Sequence, residues 1–250
     1  MIHLKTFEEI ETIKEGSKIL SEILYKIKQN VKPGITTKEL NDVAEKLMKE
    51  NKVEPAFLNY DGFPALLCTS VNEIIVHGVP SNYKLKEGDI VSLDIGIKYK
   101  GYYSDMAITV GVGKISKEAE KLIRCTKKSL ELVIQKVKAG NTFGDVGFLI
   151  QNFLEKNKLS VIKELCGHGI GKNLHEEPEI LNFGERREGI KIEEGMVFCV
   201  EPMASLGSWK IKKVPDGFGW QTQDNSLSAH FEHTIAVYKN KLLNLTYFRD

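Results

Sequence analysis

The chain has 250 residues, a length that fits one large domain or two small ones. A chain of this size buries roughly 70–75% of its unfolded surface, so it needs no metal or disulfide as a staple. Hydrophobic residues are 42% and charged residues 28%, which excludes disordered and fibrous classes. A net charge of +1 argues against a protein built to coat nucleic acid or acidic lipid. The four cysteines (Cys68, Cys125, Cys166, Cys199) are far apart and form no CxxC, against a disulfide scaffold or zinc ribbon. The N-terminal stretch MIHLKTFEEIETIKEG lacks the apolar core of a signal peptide, and no apolar run reaches membrane-helix length. A reduced, cytoplasmic protein is expected, with no membrane partner.

In chain order, Ile10, Ile13, Leu20, Leu24 and Ile27 recur at helical spacing, giving a helix over 6–30 that Pro33-Gly34 stops. Thr36 or Thr37 caps a second helix running to Glu50. Residues 65–76 and 89–99 are β-branched and apolar and read as strands. Ser116 opens a third helix to about Lys138, and Thr142 a fourth to about Lys156. The remainder, 159–250, reads as short strands between glycines and prolines.

The two halves repeat. KPGITTKELNDVAEKLMKEN from Lys32 matches KAGNTFGDVGFLIQNFLEKN from Lys138, an offset of 106 residues. EGDIVSLD, ending at Asp94, matches EGMVFCVE, ending at Glu201. Asp105 in YYSDMAITV then corresponds to Glu232 in HFEHTIAV. Three pairings in one order indicate two halves, roughly 6–110 and 116–240, around a pseudo-two-fold axis with a site between them. No Ser/Pro-rich linker separates the halves, so residues 1–250 are read as one domain.

The four repeat carboxylates lie inside apolar strands. A buried carboxylate must be paired or must hold a cation. Four of them in one pocket call for shared protons or bound metal, and no arginine is near them in sequence. The alternative is four unrelated strand-end acids paired with surface lysines, which four matched positions disfavour. Among six histidines, His168 in CGHGIG and His77 in VHGVP sit on tight Gly turns after apolar runs, where loops carry function. His175 follows in LHEEP, and His3 is read as an ordinary surface residue.

Asp94, Asp105, His168 in GHGIG, Glu201 in VEP and Glu232 in FEHT, with HGVP and LHEEP around His77 and His175, resemble the type I methionine aminopeptidases. The resemblance runs from the N-terminal helices to residue 237. It implies an α/β (α+β) pita-bread fold, a curved antiparallel sheet covered by helices, and a two-metal hydrolase that removes N-terminal methionine before a small second residue. By that likeness Asp94 chelates one ion, Asp105 and Glu232 bridge both, and His168 and Glu201 hold the other. One imidazole and four carboxylates suit Mn, Fe(II), Co or Zn. The family gives Glu201 the further task of general base and places His77 and His175 against the substrate amide. Phe57, Tyr60, Phe63, Cys68 and Trp220 fall at its methionine pocket, where aromatic rings suit a thioether.

Two positions depart from the family pattern: His230, where glutamine is usual, and Leu174, often aromatic. Both are expected to shape the pocket without touching the five ligands. The separation of 33 residues from His168 to Glu201 leaves no room for the type II insertion, and no zinc-finger extension precedes the first helix, so a minimal bacterial-style monomer acting on nascent polypeptide N-termini is expected. A proline-specific peptidase of the same fold would share the ligands but usually carries an extra N-terminal domain. A noncatalytic pita-bread binding module would have lost some of them. A hydrolase built on Cys166 and His168 is disfavoured, because residues two apart on a Gly turn seldom face each other. Finally, WKIKKVPDGFGW (209–220) reads as a Lys-rich hairpin turning at Pro215-Asp216-Gly217. Lys210, Lys212 and Lys213 on it could meet ribosomal RNA, or serve only as a solvated face.

Overall fold

The computed structural model describes residues 2–247. Four helices form where capping and periodicity place them: α1 (Phe7–Lys28), α2 (Thr37–Asn51), α3 (Lys117–Lys136) and α4 (Phe143–Lys156). Thr6, Thr36 and Thr142 each close a capping box, with Glu9, Glu39 and Asp145 respectively. Ser116 caps α3 by accepting the Ala119 N–H. Among the described residues, no helix is long and apolar enough to cross a membrane.

The strands of the first half are β1 (Glu54–Pro55), β2 (Cys68–Val71), β3 (Ile74–Val76), β4 (Ile90–Tyr99) and β5 (Tyr102–Gly111). The second half holds β6 (Ser160–Val161), β7 (Cys166–Gly169), β8 (Glu176–Leu181), β9 (Val197–Val200) and β10 (Met203–Ser205). It ends with β11 (Ile211–Lys213), β12 (Trp220–Thr222), β13 (Ser228–His230), β14 (Glu232–Tyr238) and β15 (Lys241–Asn244). The stretch 65–76 is thus not one strand. Asn72 takes a left-handed φ of 55° and reverses the chain between β2 and β3. Lys100 (φ 48°) and Gly101 (φ 84°) make the two-residue turn that joins β4 to β5.

The large antiparallel sheet runs β1-β4-β5-β14-β9-β7-β8. Its centre, β4-β5-β14-β9, is symmetric about the β5/β14 junction. The repeat reaches individual hydrogen bonds. Gly34 N–H donates to Leu85 O (2.7 Å), and Gly140 N–H to Ile192 O (2.8 Å). Leu85 N–H returns to Ile35 O, and Ile192 N–H to Asn141 O, each at 2.8 Å. Bridges Thr36↔Lys84 and Thr142↔Lys191 repeat in the same way. The two halves are therefore related by one hydrogen-bonding scheme. The helices cover one face of the sheet: Leu20 and Leu24 of α1 share a core with Ile95, Met106, Leu130 and Ile150. That leaves the opposite face of the central strands for the site.

Candidate active site and metal centre

The four repeat acids come from four adjacent strands. Asp94 lies on β4, Asp105 on β5 and Glu232 opens β14, while Glu201 follows directly on the end of β9. Register puts them on one face. Asp94 pairs with Ala107, and Ala107 in turn with Glu232. Asp105 is two residues from Ala107 and so points the same way. Cys68 on β2 pairs with Asp94 and extends the row. Ala107 keeps the middle of this row small.

Ligand atoms of Asp94, Asp105 and Glu232 all lie within 4.8 Å of one another. His168 enters from β7, its Nε2 3.8 Å from Glu201 Oε1 and 3.8 Å from Glu232 Oε1. Its Nδ1 is 2.9 Å from the carbonyl oxygen of Gly169, which leaves Nε2 for the cluster. Asp105 Oδ1 accepts the N–H of Met106 at 2.8 Å. The five residues named as ligands are thus brought together at the floor of one cavity of about 350 Å³.

Electrostatics fit a cation site. Burial, then repulsion from Asp105 and Glu201, pushes Asp94 well above the carboxylate range. Burial, then Asp105, Glu201 and Asp94, does the same to Glu232. Asp105 and Glu201 are raised too, in each case first by burial. Burial and the neighbouring His175 hold His168 low, so its ring is neutral and free to ligate. Asp94 Oδ1 and Glu232 Oε1 are buried and lack a hydrogen-bond partner. Orphaned oxygens in a cluster of four acids and one neutral imidazole are what a divalent cation would satisfy.

The walls bring in the rest. Phe57, Tyr60, Phe63, Cys68, Trp220, His77 and His175 all line the cavity. His77 follows β3 with a left-handed φ of 57°. The chain can turn there because Gly78 packs its backbone onto Thr69, where a Cβ would overlap the Thr69 carbonyl oxygen. His175 stands edge-on to His168, ring centres 4.4 Å apart, and its Nδ1 is 2.8 Å from the Tyr60 hydroxyl. With Tyr60 donating, a neutral His175 keeps its proton on Nε2 as a hydrogen-bond donor. Burial holds His175 below the usual imidazole range.

One expectation is corrected. His230 does touch the ligands. It is buried, with Nε2 3.4 Å from Glu201 Oε2 and 4.0 Å from Glu232 Oε2. Pairing of β13 with β10 sets His230 opposite Met203, two residues beyond Glu201, so the ring arrives behind both carboxylates. Leu174 lines the cavity. Sequence reasoning also missed Phe218, which lines the cavity edge-on to Phe63 with ring centres 5.6 Å apart. The hairpin expected over 209–220 forms, with its strands at 211–213 and 220–222, and β12 also pairs with β3, Trp220 opposite Val76. That pairing folds the hairpin over the site. Lys213 therefore lines the cavity, its Nζ donating to Phe218 O and lying 4.2 Å from the Trp220 ring centre.

Gly167 permits the close approach of β7 to β9. A Cβ there would overlap the Cys199 carbonyl oxygen and reach within 3.4 Å of Glu201 Cγ. Gly167→Ala is expected to destabilise by about 1–3 kcal/mol, as overpacking does. Because the strain falls between His168 and Glu201, metal affinity should fall with it. Thermal melts and metal titration of the variant check both.

A metal-fit cluster on a two-fold α/β repeat defines a candidate metalloenzyme. The sequence pattern of metallopeptidase family M24 matches residues 11–239. The methionine aminopeptidase of Clostridium perfringens is 46% identical over 240 residues, with 96% of each chain covered. The crystal structure of methionine aminopeptidase from Rickettsia prowazekii superposes with a TM-score of 0.97 at 38% identity, covering 99% of this chain and 100% of that one. A prolidase from Pyrococcus horikoshii shares the fold alone, at 23% identity and a TM-score of 0.77, with only 64% of its chain covered. The chain belongs to metallopeptidase family M24, among its methionine aminopeptidases, and is a metal-dependent aminopeptidase.

Proposed function

We propose that this chain removes N-terminal methionine from nascent proteins and peptides whose second residue is small. The observation that carries the reading is one cavity with Asp94, Asp105, His168, Glu201 and Glu232 on its floor and an aromatic wall beside them. Those five residues would hold two divalent ions, and the oxygen-rich donor set suits Mn, Fe(II), Co or Zn. When bound, such a pair supplies Lewis-acid polarisation of the scissile carbonyl and activation of a water. Glu201 takes the proton of the attacking water and passes it to the leaving amine. His175, through Nε2–H, and His77 donate to the substrate amide as charge develops on its oxygen. Phe57, Tyr60, Phe63, Cys68 and Trp220 enclose the methionine side chain, and the rings make favourable contacts with its sulfur.

We further read residues 1–250 as one domain, acting as a monomer in the cytoplasm; residues 1 and 248–250 of that span lie outside the described residues. A ribosome contact through the hairpin would rest mainly on Lys210. Lys212 Nζ already donates to Gln223 O and Asn225 Oδ1, and Lys213 turns to the cavity.

The test compares release of the first residue from Met-Ala-Ser, Met-Lys-Ser, Leu-Ala-Ser and Ala-Pro-Ser peptides by the metal-loaded chain. Cleavage of Met-Ala-Ser far above the other three is expected. Equal release before alanine and lysine would remove the small-residue restriction, and preferential cleavage before proline would favour a proline-specific enzyme.

A further inference from the structure

The N-terminal segment is bound to the turn that carries His175. Lys5 N–H donates to Gly195 O at 2.7 Å. Its side chain crosses to Glu176 Oε2 at 2.6 Å, the two side chains only 6% and 9% exposed. Lys5 Nζ also donates to the carbonyl oxygen of His3 at 3.0 Å. The other oxygen of Glu176, Oε1, accepts the Asn173 N–H at 3.0 Å. One carboxylate therefore closes the turn 171–176 on one side and takes Lys5 on the other. Gly171 packs on the Lys5 stem, where a Cβ would come within 2.9 Å of Nζ, and its carbonyl accepts the Tyr103 N–H at 2.7 Å. The turn is held at both ends, and it delivers His175 to the cavity beside His168.

A buried ion pair adds little net stability, since desolvation offsets the attraction, but its hydrogen bonds are satisfied in one arrangement only. Here that arrangement spans 171 residues of chain and ends on the residue next to His175. We propose that Lys5, acting through Glu176, is a positioning residue for His175 and fixes the direction of its Nε2–H in the cavity. This rests on the reading of His175 as a donor to the substrate.

The experiment places Lys5→Met, and the pair Lys5→Met with Glu176→Gln, in the parent and in a His175→Ala background. Each full-length, metal-loaded protein is assayed on Met-Ala-Ser. In the parent, kcat is expected to fall about ten- to a hundredfold, the scale of a 1 Å misplacement. KM and bound metal should change little. Amide exchange in 172–175 should rise while that of β14 does not. In the His175→Ala background the Lys5 substitution should have no further effect on kcat. Lys5→Met alone leaves Glu176 buried and unpaired and can unfold the chain. The paired variant removes both charges, keeps an acceptor for Asn173, and answers in that event. An equal loss of kcat with and without His175, or a lower melting temperature at unchanged kcat, would overturn the proposal and leave Lys5 a structural strut. If His175→Ala alone leaves kcat intact, the reading of His175 fails, and the positioning role falls with it.

Discussion

Replacing Asp105 or Glu232 by alanine is expected to lower turnover about a thousandfold or more, because each loss removes several kcal/mol of transition-state stabilisation. The two residues sit at the β5/β14 junction, where the halves of the fold meet, and ligand atoms of both lie within 4.8 Å of each other and of Asp94. Ala107, which stands opposite both Asp94 and Glu232, offers no donor in place of either lost acid. Bound metal should fall along with turnover. Folding should survive without metal, because one buried acid fewer relieves the repulsion that pushes Asp94 and Glu232 up. Turnover, metal content and a thermal melt of each variant separate these effects. Near-normal turnover with added metal would remove the bridging role.

The second large effect is expected at the histidines. His175→Ala and His77→Ala should each lower kcat by about 10²–10³, the loss typical of one donor to a developing oxyanion. Metal should stay bound, since neither residue is among the five that would hold it. Surrounding protein, then His230 and His175, keeps His77 below the usual imidazole range, so it acts as a neutral ring. Loss of metal together with activity in the His77 variant would make it a ligand instead. Tyr60→Phe should mimic a part of the His175 loss, because it removes the 2.8 Å partner of Nδ1.

Much of this was legible in the chain. Thr36 and Thr142, each followed by an acid three residues on, set two helix starts and exposed the repeat. The acids in VSLD, YYSD, FCVE and HFEH were conspicuous because each interrupts an apolar strand. What was not legible depends on pairings distant in sequence. His230 reaches Glu201 only because β13 pairs with β10. Phe218 and Lys213 enter the cavity only because β12 lies against β3. Lys5 meets Glu176 across 171 residues of chain, and no local pattern of charge marks either residue.

The most direct test is to strip the protein with a strong chelator and titrate Mn(II) back while following hydrolysis of Met-Ala-Ser and the unfolding temperature. No hydrolysis is expected in the stripped protein, with recovery as the metal is restored. An ion that binds only the folded state stabilises it by about 2.7 kcal/mol at a hundredfold excess over its Kd. For a chain of this size that raises the melting temperature by about 5–10 °C. Hydrolysis that persists in the stripped protein, or a melting temperature indifferent to metal, would contradict a metal-dependent aminopeptidase built on these five residues.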